Sequence, residues 1–242
     1  MTAFAPKVSI VLPTYNEKDN IGLLVSELRE RFRSGGHSYE IIVVDDDSPD
    51  QTADIVRRLA SEDPNIKLIV RQQDRGLANS IRAGMYAACG CVILVMDTDF
   101  NHKPADAVLL FEIAQHVDVS IGSRFIFGGG MKSMPRYYLS FLFNIFLRLF
   151  LGTRMNDNLS GFFAIKRSSL YKLDPSKIFW GYGDYYFRLL LLSQQAGLKH
   201  VELPVFYGDR IHGDSKTRFL RVFWDYTLAA LYVRYLKACK RW

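Results

Sequence analysis

The chain is 242 residues long, 49% of them hydrophobic, and carries a formal net charge of +6 at pH 7. This length predicts one domain with one large core, and the charge indicates an anionic partner: a nucleotide, a lipid phosphate, a membrane surface or nucleic acid. The three cysteines form no disulfide framework and indicate reduced thiols in a cytosolic protein. The N-terminus has too little apolar length for a signal peptide, and no apolar stretch reaches the roughly 20 residues of a spanning helix.

Strands and helices alternate through the first hundred residues. The β-branched run 8–12, closed by Pro13, predicts the first strand, and Asp19 or Asn20 then caps a helix. Apolar runs and helical periodicity place the following elements in turn: strand 40–44, helix 52–59, strand 66–70, helix 76–88 and strand 92–96. This alternation predicts a doubly wound, mostly parallel sheet with right-handed crossovers.

The strand 92–96 is stopped abruptly by Asp97, Thr98 and Asp99. In open α/β sheets ligands bind at the edge where the parallel strands end. Two carboxylates at that edge suit Mg²⁺ or Mn²⁺, which prefer oxygen ligands and are commonly shared with the phosphates of a substrate. Asn101 and His102 lie near enough to join such a site, whereas the alternative is a solvated turn without a ligand.

Other polar side chains follow the first and second strands. Tyr15 and Glu17 lie in the loop after the first strand, and three adjacent acids, 45–47, end the second. Adjacent acids are costly unless a cation or a hydrogen-bond donor meets them, or unless they cap the next helix. Because the loops after the first, second and fourth strands converge, we expect Tyr15, Glu17 and Asp46 to share a crevice with Asp97 and Asp99.

Two common nucleotide-binding fingerprints are absent from the sequence. No Gly-x-Gly-x-x-Gly follows the first strand, and no Walker A lysine motif occurs. This argues against a dinucleotide or P-loop site, and against a sugar nucleotidyltransferase, which needs a glycine-rich phosphate loop at that position. The three glycines 128–130 follow no helix-opening pattern and are predicted to form a flexible surface loop.

The second half of the chain has a different pattern of apolar residues. After a helix to residue 115 and a strand 117–121, the segment 137–151 is apolar on nearly all sides. Such a helix is buried in protein or lies against lipid. A turn and strand at 158–165, a helix at 185–195 and a strand at 200–206 follow.

Three features near the C-terminus have open alternatives. Asp184 either caps the helix 185–195 or faces an acceptor substrate. The glycine-rich segment 208–216, with cations, has the composition of a mobile loop that folds over phosphates. The helical segment 219–242 mixes aromatic rings with cations, which suits the headgroup region of an anionic membrane, or it docks on its own domain.

As a set, the motifs resemble family 2 glycosyltransferases of the GT-A fold, and within them the polyprenyl-phosphate sugar synthases typified by dolichyl-phosphate mannose synthase. The segments that carry the resemblance are 13–17, 44–50, 97–99, 122–124, 159–162, 209–210 and 213–216. The resemblance implies an α/β fold with a doubly wound, mostly parallel sheet flanked by helices. It implies a single GT-A domain over residues 1–216, with an amphipathic helical segment, 217–242, packed on the domain or on a membrane surface.

The resemblance also implies roles for individual residues. Those that would hold the donor nucleotide are Pro13, Tyr15, Glu17, Val44, Asp46, Asp97, Thr98, Asp99, Arg210 and Lys216. Those that would hold Mg²⁺ or Mn²⁺ are Asp97, Asp99 and Asn101, and the acceptor phosphate would contact Ser123, Arg124 and Arg136. Arg210 and Lys216 look like lid cations. Thr98, where the mannose synthases usually have alanine, and the loop 181–184 depart from the family pattern.

The reaction so implied is inverting transfer of a hexose, with mannose the leading candidate, from a nucleotide diphosphate sugar such as GDP-mannose to a polyprenyl monophosphate. The catalytic residues would be Asp99, which with Asp97 holds a cation that neutralises the leaving diphosphate, and Arg210 and Lys216, which add stabilisation as the lid closes. An acceptor phosphate, whose second pKa is about 6, is already ionised and needs no base. The alternative is a glucosyl or other sugar transferase acting on a different lipid or a glycan hydroxyl, with Asp184 as the base.

The expected partners follow from the same resemblance. They are the sugar nucleotide, the polyprenyl phosphate and a membrane surface, with peripheral association at the cytoplasmic face and a separate membrane anchor left open. Nucleic acid fits the positive charge, but the acids expected in the crevice would repel a phosphate backbone. We therefore expect no nucleic-acid partner.

Overall fold

The structure is a computed structural model that describes residues 6–208 and 219–242. Its helices and strands alternate as expected in the first half of the chain. In chain order the described elements are β1 (Val8–Thr14), α1 (Lys18–Ser34), β2 (Tyr39–Asp45), α2 (Thr52–Glu62), β3 (Ile66–Val70), α3 (Leu77–Ala87), β4 (Val92–Val95), α4 (Pro104–Ala114), β5 (Val119–Ser123), β6 (Gly130–Met131), α5 (Met134–Leu151), β7 (Phe163–Lys166), α6 (Arg167–Leu170), α7 (Pro175–Ile178), α8 (Tyr185–Gln195), β8 (His200–Pro204), β9 (Phe206–Tyr207) and α9 (Phe219–Ala238).

A mixed seven-stranded sheet forms the centre of the molecule, in the order β3-β2-β1-β4-β7-β5-β8. Strand β1 pairs in parallel with β2 and β4, and β2 pairs in parallel with β3. The predicted α/β class with a doubly wound sheet is therefore confirmed. Strand β7 was not expected to run against its neighbours, but it lies antiparallel between β4 and β5.

Helices cover both faces of the sheet. On one face, α1 and α4 contribute Leu24 and Phe111 to a core that includes Ile10 of β1. On the other face, α3 and α8 contribute Ile81 and Leu189 to a second core. Every residue of β1 is buried, as expected for a central strand of a parallel sheet covered on both sides. The strand ends therefore provide the edge at which polar loops gather.

A third apolar cluster shows how α5 and α9 pack on the rest of the domain. Phe143 and Leu147 of α5 pack with Phe187 of α8 and with Ala230 and Val233 of α9. Both helices thus dock on the domain with one face. Large apolar side chains of both helices remain in contact with solvent, among them Tyr138, Leu142, Leu149, Trp224, Leu228, Leu231, Tyr232 and Tyr235. Among residues 6–208 and 219–242, no helix combines the length and the apolar character needed to cross a membrane.

Of the glycine segment 128–130, predicted to be a flexible surface loop, Gly128 is exposed in a turn but Gly130 does not lie on the surface. Gly130 belongs to β6, pairs with Phe206 of β9 and is buried. A Cβ at Gly129 would lie 2.5 Å from the carbonyl oxygen of Ser123. The glycine is therefore required by close backbone packing after β5, a requirement that local composition does not reveal.

Candidate active site

A cavity of about 730 Å³ opens where β1, β2 and β4 end. The loops after these three strands converge there because the strands are parallel neighbours. The structure thus brings together side chains that lie far apart in the sequence. The residues of this cavity that were expected to hold the donor are Pro13, Tyr15, Glu17, Asp46, Asp97, Thr98 and Asp99. We call it the donor cavity.

Two of the expected contact residues lie away from the surfaces at which substrate could bind. Val44 is fully buried within β2, and a side-chain carbon of Val44 would lie 3.0 Å from a Cβ at Gly84 of α3. Ser123 is fully buried at the end of β5, and its hydroxyl accepts a hydrogen bond from the N–H of Phe125. Their positions fit packing of the sheet and the turn after β5.

Asp46 is held in the wall of the donor cavity by several hydrogen bonds. Its Oδ1 accepts from Nη1 of Arg71 at 2.9 Å and from the hydroxyl of Ser80 at 2.7 Å. Its Oδ2 accepts from the N–H of Gly76 at 2.6 Å. These bonds join the end of β2 to the end of β3 and to the start of α3. Asp46 therefore fixes the shape of one wall of the cavity.

The neighbouring acids also have partners, which offsets the cost of placing them side by side. Asp45 accepts from the hydroxyl of Thr14 at 3.0 Å and from the N–H of Ser48 at 2.8 Å. Asp47 forms an ion pair with Arg75, and Arg75 itself lines the donor cavity. A cationic group therefore stands at the cavity mouth.

The turn after β4 is held by its own amide groups. Asp99 is 6% exposed, and its two carboxylate oxygens accept from the backbone N–H and the side-chain Nδ2 of Asn101 at 3.1 and 2.9 Å. The side chain of Asp97 is 50% exposed. Because Asn101 uses its amide nitrogen on Asp99, only its Oδ1 remains as an oxygen that can reach a cation.

His102 positions the turn and is not available as a ligand, which corrects the expectation that it joins the site. Its Nδ1 accepts from the N–H of Asp97 at 2.8 Å, so the proton lies on Nε2, which donates to the hydroxyl of Tyr207 at 2.6 Å. That hydroxyl donates to the carbonyl oxygen of Ser160 at 3.0 Å. Burial lowers the pKa of His102 to about 4, so the ring is neutral at pH 7.

The donor set at the end of β4 fits a hard divalent cation. Asp97 and Asp99 offer carboxylate oxygens, and Asn101 offers an amide oxygen. Within the described residues, no group of three or more His, Cys, Asp or Glu side chains is arranged to hold a metal ion. A site with two carboxylates needs further oxygen ligands, and a substrate diphosphate supplies them in sites of this kind.

A second cavity, of about 320 Å³, adjoins the first. The two cavities share Leu77, Asp97, Asp99 and Tyr182 in their walls, so the carboxylates stand at the junction. Ser160 and Gly161 also line the second cavity. We call it the acceptor cavity.

Two arginines line the acceptor cavity, one buried in an ion pair and the other exposed. Arg124 is buried, and its Nε and Nη2 donate to Asp157 at 2.7 and 2.8 Å. Burial alone would lower the pKa of Arg124, but the Asp157 carboxylate outweighs it and holds the pKa above its ordinary value. Arg136 is exposed near the start of α5, and its side chain forms no ion pair with the described residues 6–208 and 219–242. Arg136 is therefore available to an anion.

The remaining walls of the acceptor cavity are largely apolar. Leu139 and Phe143 of α5 stand on one side, and Val222 and Phe223 of α9 on another. The rings of Phe143 and Phe223 pack with centroids 4.9 Å apart. The cavity therefore extends from the carboxylates of Asp97 and Asp99, past the guanidinium group of Arg136, to an apolar wall between α5 and α9.

Asp184 stands at the N-terminus of α8 without a side-chain capping bond and lines neither the donor nor the acceptor cavity, which corrects both expectations for it. It is 2% exposed, its side chain makes no capping bond, and it accepts from the N–H of Tyr182 at 2.6 Å. It forms an ion pair with Arg188, which is fully buried. Burial lowers the pKa of Arg188, and the Asp184 carboxylate offsets part of that effect.

Arg210 and Lys216, the expected lid cations, lie outside the described residues. The sequence reasoning missed three other side chains that line these cavities, Arg75, Tyr182 and Tyr207, and also Arg71, which holds Asp46 in the cavity wall. A usable signal existed for Arg71, which directly follows the apolar strand β3 and so lies at the same sheet edge as the acids. Tyr207 offered none, because its role depends on contacts with His102, 105 residues away.

Comparisons with known proteins show which proteins the chain is similar to. The family model described as glycosyl transferase family 2 matches residues 9–174. The chain is 32% identical over 241 residues to a dolichol-phosphate mannosyltransferase of Pyrococcus furiosus, covering 98% of this chain and 64% of that protein. It is 32% identical over 219 residues to an undecaprenyl-phosphate mannosyltransferase of Micrococcus luteus, covering 87% of each.

A solved structure is similar in fold. Glucosyl-3-phosphoglycerate synthase from Mycobacterium tuberculosis, crystallised with Mn²⁺, UDP and glucosyl-3-phosphoglycerate, superposes with a TM-score of 0.67 at 20% identity. The match covers 95% of this chain and 80% of that one. This likeness agrees with the predicted GT-A fold. The family model and the sequence relatives lead to one conclusion: the chain belongs to glycosyl transferase family 2.

Proposed function

We propose that the protein transfers a hexose, with mannose the leading candidate, from a nucleotide diphosphate sugar to a polyprenyl monophosphate. One observation carries the proposal: a polar cavity and a largely apolar cavity meet at Asp97 and Asp99. A sugar that passes from a nucleotide to a lipid phosphate needs such a meeting point. The proposal is also supported by the relatives, which are named as mannosyltransferases of dolichol phosphate and undecaprenyl phosphate.

The donor cavity suits the nucleotide half of the donor. Asp46, held by Arg71, offers a carboxylate to the hydrogen-bond donors of a base such as guanine. Tyr15, 47% exposed, offers a ring face for stacking. Arg75 at the mouth adds positive charge near an anionic ligand. GDP-mannose is therefore the first donor to test.

Asp97, Asp99 and Asn101 are the residues that would hold Mg²⁺ or Mn²⁺. The cation, when bound, supplies neutralisation of the charge that builds on the leaving diphosphate. In the reaction, the bond from the anomeric carbon to the diphosphate oxygen breaks, and the electron pair leaves with the nucleoside diphosphate. A bond to an oxygen of the acceptor phosphate forms on the opposite side, which gives inversion.

The acceptor cavity suits an isoprenoid phosphate. Arg136 offers its guanidinium to the phosphate, and Arg124, fixed by Asp157, keeps Nη1 for the same anion. The apolar wall built by Phe143 and Phe223 receives the first isoprene units. Because the phosphate is already largely ionised at neutral pH, no side chain has to remove a proton. The buried ion pair of Asp184 fits this absence of a base.

We place the site at a membrane surface. The outward faces of α5 and α9 expose Leu142 (61%) and Trp224 (62%). Cations near the end of α9 complement anionic lipid headgroups, and these are Arg234, Lys240 and Arg241. The protein thus associates peripherally with the cytoplasmic face of a membrane, where it meets a lipid acceptor. Sedimentation with phosphatidylglycerol vesicles should decrease for Leu142→Ser with Trp224→Ser, and should not change for Tyr171→Ser.

The activity is tested with radiolabelled GDP-mannose, GDP-glucose, UDP-glucose and UDP-galactose, each with a short polyprenyl phosphate and Mn²⁺. The expected result is chloroform-extractable label from GDP-mannose, dependent on the lipid phosphate. Arg136→Gln should raise the KM for the lipid phosphate at least tenfold. Arg148→Gln is the matched control, because Arg148 is exposed on the same helix but contacts Asn156 away from the cavity.

Two results would contradict the proposal. One is the absence of lipid-linked product with every donor, when the protein is folded and binds nucleotide. The other is equal KM changes in Arg136→Gln and Arg148→Gln, which would leave the acceptor cavity without a role. Product on a glycan hydroxyl but not on a lipid phosphate would favour the glycan transferase instead.

A further inference from the structure

The loop between α7 and α8, residues 179–184, is fixed by a buried arginine. Nε of Arg188 donates to the carbonyl oxygen of Ile178 at 3.0 Å, and Nη2 donates to that of Trp180. The guanidinium carbon also lies 3.4 Å from the centroid of the Trp180 ring. Nη1 binds Asp184. One side chain therefore holds both ends of the loop.

Asp184 completes this arrangement from the other side. Its Oδ1 accepts from the N–H of Tyr182 at 2.6 Å. Gly181 has a φ of +70°, and a Cβ there would lie 2.6 Å from the Asp184 carboxylate. The left-handed glycine lets the backbone wrap around the carboxylate. The ion pair of Asp184 and Arg188 thus determines where the backbone of Tyr182 lies.

Tyr182 is the side chain that this loop presents to the site. It is 44% exposed and belongs to the walls of both the donor and the acceptor cavity. The other residues common to both walls are Leu77 and the carboxylates Asp97 and Asp99. Within the described chain, Tyr182 is therefore the aromatic residue that the walls of the two cavities share.

We infer that Tyr182 contacts the hexosyl group of the donor, and that Asp184 and Arg188 are positioning residues that hold it there. The inference rests on the proposed function. If the diphosphate lies at Asp97 and Asp99, and the acceptor phosphate approaches from the second cavity, the hexose occupies the junction between them. A tyrosine there offers its ring face to the C–H groups of the sugar and its hydroxyl to a sugar oxygen. Tyr182 so becomes a residue that sets sugar specificity.

The test compares two ligands that differ only by the hexose. Calorimetry with Mn²⁺ measures binding of GDP and of GDP-mannose, or of UDP and UDP-glucose if the wild type prefers that pair. Tyr182→Ala should weaken binding of the nucleotide sugar at least tenfold and change binding of the nucleoside diphosphate less than twofold. Tyr182→Phe separates the hydroxyl from the ring. Tyr171→Ala, which removes an exposed tyrosine that lines neither cavity, is the control.

The positioning role has its own readout. Asp184→Asn keeps an oxygen that accepts from the N–H of Tyr182, whereas Asp184→Ala does not. Sugar-nucleotide affinity should therefore fall at least fivefold more in the alanine variant than in the asparagine variant, with nucleoside diphosphate affinity alike in both. Thermal unfolding of each variant shows whether it is folded. A purely structural role would instead lower both affinities in step with stability.

The outcomes separate this inference from the proposed function. If the wild type binds neither nucleotide pair, the proposed function fails and the inference fails with it. If the wild type binds a pair and Tyr182→Ala weakens both members equally, or neither, only the role of Tyr182 is overturned. If Tyr182→Ala acts as expected but both Asp184 variants behave like the wild type, the positioning role is overturned.

Discussion

The ring of His102 accepts a hydrogen bond from the backbone N–H of Asp97 at 2.8 Å. Through its other nitrogen the same ring is joined to Tyr207, and through Tyr207 to the backbone of Ser160. The turn that carries both carboxylates is thus tied to the start of the acceptor cavity. A stacked contact with Phe162, 4.5 Å between ring centroids, fixes the plane of the ring.

His102→Ala should therefore weaken the response to metal without removing a ligand. Groups that orient metal ligands typically contribute about 10- to 100-fold in metal affinity or activity. We expect the Mn²⁺ concentration for half-maximal turnover to rise by a factor in this range. His102→Asn keeps an acceptor for the N–H of Asp97 and should lie between alanine and wild type. If the two variants need the same Mn²⁺ concentration, the hydrogen bond from the N–H of Asp97 does not explain the effect of losing His102.

Asp99→Asn should abolish the stimulation of nucleotide binding by Mn²⁺. The substitution preserves the shape of a side chain that is 6% exposed, so the fold should persist. Loss of electrostatic stabilisation of a developing charge typically lowers kcat about 100- to 1000-fold, and we expect a decrease of this order in sugar transfer. Glu30→Gln, an exposed acid on α1, is the control. Full activity of Asp99→Asn after treatment with a chelator would contradict a metal site at this turn.

The sequence predicted the parallel part of the sheet because its signals are local there. Apolar runs of five residues or so are separated by helical periodicity, and parallel neighbours have few alternatives. The helix Tyr185–Gln195 was predicted to the residue. The antiparallel strand β7 was not, because a four-residue apolar run does not specify its direction or its partners.

The same distinction applies to the site. Convergence of Asp46 with Asp97 and Asp99 follows from strand order alone, and so it was predictable. The partners of individual charges were not, because pairs such as Arg71 with Asp46 and Arg124 with Asp157 join residues 25 and 33 positions apart. Asp184 illustrates the result: its sequence position fits a helix cap, but the fold places Arg188 against it.

Asp157→Asn should destabilise the protein strongly, because it leaves the Arg124 guanidinium buried without its counter-ion. The side chains of Arg124 and Asp157 are 6% and 0% exposed. Breaking a buried pair in this way typically costs about 3–5 kcal/mol. The free energy of unfolding, measured in urea, should fall by this amount. Glu27→Gln breaks the exposed pair with Arg31 and should cost at most about 0.5 kcal/mol. Similar losses in both variants would contradict the argument.

The stability of the protein should depend on pH through Glu40. Burial would raise the pKa of Glu40, but hydrogen bonds from Lys67, Ser9 and the N–H of Cys89 outweigh burial and hold it below 4.5. The unfolded chain has the ordinary value, so the stabilisation is complete above pH 4.5 and is lost as the pH falls through the folded pKa. Glu40→Gln should melt below the wild type at pH 7, and the two melting temperatures should approach each other below pH 4.5. A difference in melting temperature that stays constant with pH would show that Glu40 is not the source of the pH dependence.

The contact between the loop 179–184 and α9 can be tested by a compensating pair of substitutions. A Cβ at Gly183 would lie 2.0 Å from the hydroxyl oxygen of Tyr226 and 3.2 Å from the ring carbon that carries it. Gly183→Ala should therefore displace the loop and with it Tyr182, which lowers sugar transfer at least tenfold. Tyr226→Phe removes the hydroxyl, so the double variant should recover most of that loss relative to the single one. Kinetics of the four proteins give the coupling, and strictly additive effects would mean that the loop does not rest on α9.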